Sequence, residues 1–138
     1  METITVQLDQ QGETSSLLSF EEHRIIIDRP PSKGGHGKGP MGGQVLLMSI
    51  AGCYSSTLYA AAQARNLKIE RLKIVVTGHI SDTTPKRFEA LTLEVVKGTC
   101  GNEKEFSKLL EIAEKGCIAV NTVKTGMKFQ VIKHPDTI

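Results

Sequence analysis

Hydrophobic and polar side chains alternate with a period of two over several short stretches of the chain. This period predicts half-buried β-strands, because successive side chains of a strand point to opposite faces. Three such stretches come first, and turn-forming residues around Gly12 separate the first two. Two more form a predicted hairpin around a turn at residues 82–85. The predicted strands are residues 4–8, 15–20, 24–28, 72–77, 91–95 and 127–131.

Two longer segments lack this alternation and predict helices. Residues 39–64 carry no charged side chain, and we expect a helix from about residue 43 to residue 64. The second helix begins after Asn102, whose side chain can form a capping pair with that of Glu105, and it ends near Gly116. Its apolar residues recur at helical spacing, so this helix is amphipathic. The order of the elements favours an α+β fold with a mostly antiparallel sheet.

The uncharged helix predicts that the protein forms an obligate homodimer. A helix without a charged face is usually buried on all sides. At about 1.5 Å per residue the helix would be about 33 Å long, close to the diameter of a compact domain of this size. One chain supplies too little surface to enclose it, and a second copy is the simplest source of the rest. A membrane span has a similar length, but glycine, serine and glutamine residues interrupt this stretch, so we expect no membrane partner.

Length and charge restrict the possible functions. With 138 residues the chain has the size of one domain, and we predict a single domain over residues 1–138. Its 17 basic and 15 acidic side chains leave a net charge of +2, too small an excess to indicate nucleic-acid binding. Three cysteines are too few for a secreted disulfide framework, and an odd number cannot all pair within one chain. The sequence also shows no signal-peptide pattern. We therefore expect a cytoplasmic protein with reduced thiols.

A glycine-rich stretch precedes the long helix, and two interpretations of it stay open. Gly37, Gly39 and Gly42 match the G-x-G-x-x-G pattern of dinucleotide-binding loops. The match lacks the acidic residue expected about 20 positions later, since no Asp or Glu occurs between Asp28 and Glu70. The favoured interpretation is a flexible connector whose glycines let the backbone lie close to a neighbouring subunit or to the start of the helix. We expect the carboxylates of Asp28 and Glu70 to be solvated. The histidines lack the spacing of zinc ligands, so we expect no metal site. We also expect no bound cofactor.

The three cysteines have different sequence surroundings. Cys53 lies in the uncharged helix, where a buried cysteine is most often a small hydrophobic residue. Cys117 follows the expected end of the second helix and precedes residues 118–121, which could begin a new helical turn. A thiolate at a helix start is stabilised by free backbone N–H groups. Cys100 lies in a connector, and we interpret it as an incidental exposed thiol. The pair of Cys53 and Cys117 is therefore the candidate for redox chemistry.

Several of these motifs, taken together, resemble one known family. The motifs are Asp28-Arg29-Pro30, Gly34-Gly35, Gly39-Pro40, Leu46-Leu47-Met48-Ser49-Ile50-Ala51-Gly52-Cys53 and Gly116-Cys117-Ile118-Ala119-Val120-Asn121. From about residue 20 onward, the chain is similar to proteins of the OsmC/Ohr superfamily. The resemblance implies an intertwined α+β homodimer whose antiparallel sheets wrap around long central helices. It also implies a cysteine-based peroxidase for oxidative stress defence, since many members reduce organic hydroperoxides.

The resemblance assigns a role to each cysteine of the pair. Cys53 would be the peroxidatic thiolate, which attacks the O–O bond of a hydroperoxide and becomes a sulfenic acid. Cys117 would be the resolving thiol, which condenses with that sulfenic acid to a disulfide within the subunit, and an external dithiol would then reduce the disulfide. The uncharged, largely apolar surroundings favour an alkyl hydroperoxide over hydrogen peroxide. The alternative is a non-catalytic dimer that binds a small apolar or thiol-bearing ligand, with Cys53 only packing in the interior.

The sequence departs from the family pattern where the thiol should be activated. In the peroxidases of the family, an arginine near the first hairpin turn lowers the thiol pKa, and a glutamate at the start of the central helix orients that arginine. Gly43 and Gln44 occupy the glutamate positions here, and no arginine occurs at residues 10–12. Arg24 and Arg29 are the candidate substitutes, and Gln44 could hydrogen-bond such an arginine without pairing its charge. Either one of these residues activates the thiol or the activity is weak.

Overall fold

The computed structural model describes residues 2–135, and the chain divides into two compact units between Ser49 and Ile50. The elements are β1 (Gln7–Gln10), β2 (Ser16–Phe20), β3 (His23–Ile27), a 3₁₀ turn (Pro31–Lys33), α1 (Gly42–Gln63), β4 (Glu70–Ile80), β5 (Phe88–Thr99), α2 (Glu103–Gly116) and α3 (Ile118–Thr125). Every strand pair that the structure describes is antiparallel. The predicted α+β class is therefore confirmed. The single domain over residues 1–138 and the homodimer stay predictions.

The first unit contains a three-stranded antiparallel meander in the order β1-β2-β3. Strands β2 and β3 lie where the alternation predicts them. The predicted first strand, residues 4–8, is wrong at its start, because β1 begins only at Gln7. Strand β2 ends at Phe20, where the chain turns back, so the residues before Val6 have no β2 backbone to pair with.

The glycine-rich loop after β3 is organised around the buried carboxylate of Asp28. It accepts hydrogen bonds from Thr14 Oγ1 at 2.6 Å and from the backbone N–H groups of Arg29, Lys38 and His36 at 2.6, 3.2 and 3.3 Å. The bond from Thr14, together with those from the backbone, outweighs burial and lowers the pKa of Asp28 to about 2. The expectation that Asp28 is solvated is therefore wrong. Loop N–H groups that a phosphate would need are donated to this carboxylate, so the loop geometry does not favour a nucleotide site.

Two glycines of the loop are required by close backbone contact. A Cβ atom at Gly39 would lie 2.1 Å from the carbonyl oxygen of Ile26, and one at Gly35 would lie 2.0 Å from that of Arg29. Heavy atoms do not approach this closely, so only glycine fits either position without a backbone shift. These close contacts are with β3 and with the loop itself, and not with the neighbouring subunit or the helix start that the sequence interpretation named.

Helix α1 lies within one residue of its predicted bounds at both ends. It is the one helix among residues 2–135 whose length and composition would suit a membrane crossing, with a mean hydropathy of 1.4. A core helix of a globular protein has the same properties. The buried residues of α1 are Ile50, Tyr54, Leu58, Ala61 and Ala62. All but Ile50 belong to the core cluster of the second unit, which supports the interpretation of α1 as a core helix.

The second unit packs the β4–β5 hairpin and helical residues around one core. The strands pair in a long hairpin with Val76 opposite Leu93, and every second residue of each strand is half-buried, as the alternation predicts. Helix α2 begins with the predicted capping pair, because Asn102 Oδ1 accepts the N–H of Glu105 and the Glu105 carboxylate accepts the N–H of Asn102. The core residues are Tyr54, Leu58, Ala61, Ala62, Cys100, Leu109, Ala113 and Cys117.

The predicted final strand at residues 127–131 is wrong, because residues 126–134 form neither a strand nor a helix. The side chains of Met127, Phe129 and Val131 are 73%, 85% and 85% exposed. A strand requires a neighbouring backbone for its hydrogen bonds, and no strand among residues 2–135 pairs with this segment. The hydrophobic alternation is therefore present without the partner that would make it a strand.

Candidate functional site

Cys53 lies on α1 among uncharged side chains, and it is half-buried. The buried stripe of the helix runs through Ile50, Tyr54 and Leu58, so Cys53 lies at the edge of that stripe and packs against the core of the second unit. Thr57, one turn later, donates its hydroxyl to the carbonyl oxygen of Cys53 at 2.9 Å. That bond holds the Thr57 hydroxyl on the helix backbone, and Cys53 itself stays partly exposed.

Cys117 joins α2 to α3 and is fully buried. Its backbone is extended, with φ −80° and ψ 118°, which ends α2 and lets α3 begin in a new direction. The N–H of Asn121 donates to the carbonyl of Cys117 at 2.9 Å, and the Asn121 side chain donates to the carbonyl of Lys115 at 3.0 Å. The predicted helical turn after Cys117 is confirmed, and these bonds hold it to the end of α2.

The two thiols meet across the contact between α1 and the α2–α3 junction. The thiol of Cys53 lies within hydrogen-bonding reach of Cys117, and both cysteines are free. Burial raises the pKa of Cys117, and the nearby Cys53 raises it further, whereas the backbone N–H groups of Val120 and Ala119 act in the opposite direction. The net effect is a raised pKa. The two thiols therefore interact, one half-buried and one enclosed, as a disulfide between them would require.

Packing between α1 and α2 brings these thiols together. The hydroxyl of Tyr54, next to Cys53 in sequence, donates to the carbonyl of Leu110 at 2.9 Å. A Cβ atom at Gly116 would lie 3.4 Å from Thr57 Cγ2, an ordinary contact distance, so the end of α2 lies beside α1 at this point. Burial raises the pKa of Tyr54, and the charges of Glu114 and Cys117 add to the effect. Tyr54 is therefore a neutral hydrogen-bond donor at neutral pH.

A cavity of about 600 Å³ is lined in part by Tyr54, the residue next to Cys53 in sequence, and neither cysteine lines it. Its rim carries an ion pair between Lys124 Nζ and a Glu114 carboxylate oxygen at 2.6 Å. The cavity is lined by Ile50, Tyr54, Val76, Leu91, Leu93, Glu94, Val95, Leu110, Glu114, Val120, Val123 and Lys124. A larger depression of about 810 Å³, beside Arg65 and Lys108, has no lining residue in common with the thiol pair. Of the two, only the smaller cavity is lined by Tyr54, the sequence neighbour of Cys53, and by Val120, whose N–H group acts on Cys117.

Cys100 does not have the surroundings expected from the sequence. Its side chain is 2% exposed and belongs to the core cluster with Leu109 and Ala113, so the interpretation of an exposed thiol is wrong. Burial raises the pKa of Cys100, and the charge of Glu105 raises it further. The connector reverses direction at Gly101, where φ is +62°, and this turn directs Cys100 inward before α2 begins.

The candidate activating residues all lie in the first unit, where each has local partners. Arg24 donates to the carbonyls of Glu21 at 2.7 Å and His23 at 3.1 Å. Arg29 Nε donates to the carbonyl of Lys33 at 3.0 Å. The side-chain oxygen of Gln44 accepts the N–H of Met41 at 2.9 Å, which caps the start of α1. A role for these three residues in thiol activation stays a prediction.

Sequence reasoning missed three residues around the thiol pair. Tyr54 could have been suspected, since it follows Cys53 and a buried tyrosine needs a partner for its hydroxyl. No sequence pattern indicated Glu114 and Lys124. Their ion pair joins α2 to α3, and the relative direction of these helices depends on the extended backbone of Cys117. Within residues 2–135, no three His, Cys, Asp or Glu side chains are grouped so that they could hold a metal ion.

Comparisons with known proteins concern the family and the fold of the chain. A family model described as OsmC-like protein matches residues 35–132. A similar structure is an OsmC-like protein from Mycoplasma pneumoniae, with 24% identity and a TM-score of 0.72 over 91% of this chain and 89% of that chain. Two further structures are organic hydroperoxide resistance proteins. The one from Legionella pneumophila has 18% identity and a TM-score of 0.63, with 91% of each chain covered. The one from Elizabethkingia anophelis has 15% identity and a TM-score of 0.60, again with 91% of each chain covered.

At these identities the structural likeness concerns the fold, and the family match covers more than half of the chain. The comparison with curated proteins gives no match.

Proposed function

The chain belongs to the OsmC-like protein family, and from this premise we propose that it is a thiol-dependent peroxidase that reduces organic hydroperoxides in oxidative stress defence. One observation carries the proposal, namely the contact between the half-buried thiol of Cys53 and the buried thiol of Cys117. The similar folds of two organic hydroperoxide resistance proteins support the same class of chemistry.

The first step of the proposed cycle oxidises Cys53. The Cys53 thiolate attacks the terminal oxygen of ROOH, the O–O bond breaks, and the leaving alkoxide takes up a proton to become the alcohol. The sulfur retains the transferred oxygen as a sulfenic acid. Cys53 suits this step better than Cys117 because its sulfur is partly open to solvent, and the substrate must reach the atom that it oxidises.

The second step forms a disulfide with Cys117. The Cys117 thiolate attacks the sulfenic sulfur, the S–S bond forms, and the departing hydroxide leaves as water after it gains a proton. Burial makes this thiolate costly, and the N–H groups of Val120 and Ala119 offset part of that cost. An external dithiol then reduces the disulfide and returns both thiols, so no bound cofactor is needed.

Activation of Cys53 is the step for which the family pattern is incomplete. We propose that Arg24 or Arg29 stabilises the Cys53 thiolate and that Gln44 orients the guanidinium. Each arginine donates to backbone carbonyls of its own unit, so this role requires it to exchange one of those bonds for the thiolate. A guanidinium that is already ordered by such bonds loses less conformational entropy when it meets an anion.

A sulfenic-acid trap tests the proposal. Reduced protein is treated with one equivalent of cumene hydroperoxide and then with dimedone, and the labelled cysteine is found by peptide mass spectrometry. We expect the label on Cys53, with more label in the variant Cys117→Ser because the sulfenic acid can no longer be resolved. The variant Cys100→Ser is the matched control and should label like the unmodified chain. Unreactive thiols in the folded protein would contradict the proposal.

The surroundings of the thiol pair also support a preference for organic hydroperoxides. The neighbouring cavity has mostly aliphatic lining, which suits an alkyl group better than a small hydrophilic peroxide. We expect faster turnover of cumene hydroperoxide than of hydrogen peroxide at equal concentration. Comparable rates for the two oxidants would contradict the preference without affecting the assignment of Cys53.

The same cavity supports a second candidate function, a non-catalytic dimer that binds a small apolar or thiol-bearing ligand. A volume of about 600 Å³ lies within the range of roughly 300 to 1,000 Å³ that ligand pockets occupy. In this case Cys53 would only pack at the edge of the core. The dimedone experiment separates the two functions, because a binding protein of this kind leaves Cys53 unlabelled.

We propose further that the protein works as a cytoplasmic homodimer. Leu46 and Met48 on α1 are 45% and 58% exposed in the single chain, although they belong to its uncharged helix. Exposed apolar residues on a helix that carries no charge are typical of a surface that a partner covers. A second copy is the simplest such partner, and reduced thiols fit the cytoplasm.

A further inference from the structure

The disulfide of the proposed cycle presents two sulfurs of unequal accessibility, and this inequality determines how it is reduced. We propose that an external thiol attacks Sγ of Cys53, so that the reductant becomes linked to Cys53 and Cys117 departs as the leaving thiolate. The inference rests on the proposed function only in that it concerns the same pair of cysteines. It adds the sulfur at which the reductant binds and the order in which the two thiols are released.

Accessibility is the first argument. Thiol–disulfide exchange requires the attacking sulfur to approach one sulfur of the disulfide from the side opposite the other. The Cys117 side chain is 0% exposed, enclosed by the α2–α3 junction, whereas Cys53 at the edge of the buried stripe of α1 is half-buried. The two thiols already interact before oxidation, and Cys117 is enclosed while they do so.

Backbone N–H groups assist the departure of Cys117, although they do not outweigh its burial. Exchange is faster when the departing sulfur is better stabilised as a thiolate. The backbone N–H groups of Ala119 and Val120, in the first turn of α3, favour the Cys117 anion and offset part of the cost of burial, which still leaves the pKa of Cys117 raised. No intrahelical acceptor competes for N–H groups of a first helical turn. The α3 N-terminus therefore lies where the charge develops when the S–S bond breaks.

The electron count of the step is complete. The reductant thiolate forms a bond to Cys53 Sγ, the bond between Cys53 and Cys117 breaks, and its electron pair stays on Cys117, which then takes a proton from water. A second thiolate, from the same dithiol or another molecule, attacks the reductant sulfur of the mixed disulfide and releases Cys53. The products are the two protein thiols and an oxidised reductant, with two electrons transferred in all.

Peptide mapping of the transient mixed disulfide tests the inference. The disulfide is made with diamide rather than with a hydroperoxide, so the result does not depend on peroxidase activity. The oxidised protein is mixed with excess 2-mercaptoethanol in a quench-flow instrument, quenched in acid, treated with N-ethylmaleimide and digested. Mass spectrometry then identifies the cysteine that carries the mercaptoethanol adduct and the cysteine that carries maleimide.

We expect at least tenfold more adduct on Cys53 than on Cys117, with maleimide on Cys117. The control is the same oxidised protein unfolded in guanidinium chloride, where both sulfurs are accessible and the adduct should divide between them. An adduct mainly on Cys117, or an equal division in the folded protein, would overturn the inference. Failure of diamide to link Cys53 to Cys117 would overturn it as well, because the pairing would then be wrong. A failed dimedone experiment with a normal mapping result would reject the peroxidase function alone.

Discussion

The charge on Asp28 holds together the strand end and the glycine-rich loop that follows it. Four donors converge on this one carboxylate, three of them backbone N–H groups within ten residues of it and the fourth the hydroxyl of Thr14. Each bond to an ionised acceptor is stronger than one to a neutral acceptor. Protonation of Asp28 would therefore weaken all four bonds at once.

Stability should depend on pH through Asp28. Its pKa in the folded protein is about 2, below the ordinary value of 3.8, so the folded state holds the ionised form more strongly than the unfolded state does. The contribution to stability is complete above about pH 4 and is lost as the pH falls toward about 2. Denaturant unfolding between about pH 6 and pH 2 should show this loss, and the variant Asp28→Asn should be less stable at pH 6 and less sensitive to acid.

The variant Asp82→Asn is the control for this prediction, since Asp82 is exposed in the β4–β5 turn. It should follow the pH profile of the unmodified chain. An Asp28→Asn profile that keeps the full acid sensitivity would show that another group is responsible.

Gly39 and Gly42 provide a matched pair for the close contact of the loop. A Cβ atom at Gly39 would lie 2.1 Å from the carbonyl oxygen of Ile26, whereas nothing lies within 4 Å of one at Gly42. We expect Gly39→Ala to lower the free energy of unfolding by about 2 kcal/mol or more, because the backbone must shift. Gly42→Ala at the start of α1 should be neutral or stabilise by up to about 1 kcal/mol. Equal stability of the two variants would contradict the contact.

At the scale of elements, the thiol pair depends on the packing of α1 against α2. Tyr54 and Leu110 provide the one direct side-chain hydrogen bond between these helices that the structure describes. The bond lies within the core and is one residue away from Cys53 along α1. It therefore fixes the position of α1 along the axis of α2. Alignment of the two cysteines is thus a consequence of helix packing.

Removal of the Tyr54 hydroxyl should weaken this packing. We expect Tyr54→Phe to lower the free energy of unfolding by about 1 kcal/mol, because the Leu110 carbonyl loses its donor. Tyr59→Phe is the control, since Tyr59 lies on the same helix and is 46% exposed. Denaturant titration measures both. A Tyr54→Phe variant as stable as the control would show that the bond does not contribute.

At the scale of the whole molecule, the single chain exposes large apolar side chains on several elements. On α1 these include Leu46, Met48 and Tyr59, and further along the chain they include Phe129 and Val131 of the C-terminal segment. Isolated exposed apolar residues are common, but this number on a small chain indicates surface that a partner covers.

The homodimer proposal predicts a definite mass. Light scattering after size-exclusion chromatography should give about 30 kDa, twice the 15.0 kDa of one chain. The melting temperature should rise with protein concentration, because dissociation and unfolding are linked in an obligate dimer. The substitution Met48→Glu should lower the mass or the melting temperature, since it would bury a charge in the interface. A stable 15 kDa species at micromolar concentration would contradict the dimer.

The sequence by itself determined the type and bounds of most elements. The absence of charge between Lys38 and Arg65 predicted α1 to within one residue at each end, and the pair of Asn102 and Glu105 predicted the start of α2. Such signals are local, because helix periodicity and capping involve residues close together in the chain. The candidate site could also be proposed from the sequence, since both cysteines lie in motifs that resemble one family.

Only the tertiary structure decided which distant groups meet. It placed Cys100 in the core, gave Asp28 its four donors, brought Tyr54 to Leu110, and left residues 127–131 without a strand partner. Each of these outcomes depends on the direction in which separate segments pack, and an extended residue such as Cys117 changes that direction without a local sequence signal. Burial and partner choice are properties of the assembled core, so they could not be obtained from the alternation of side chains alone.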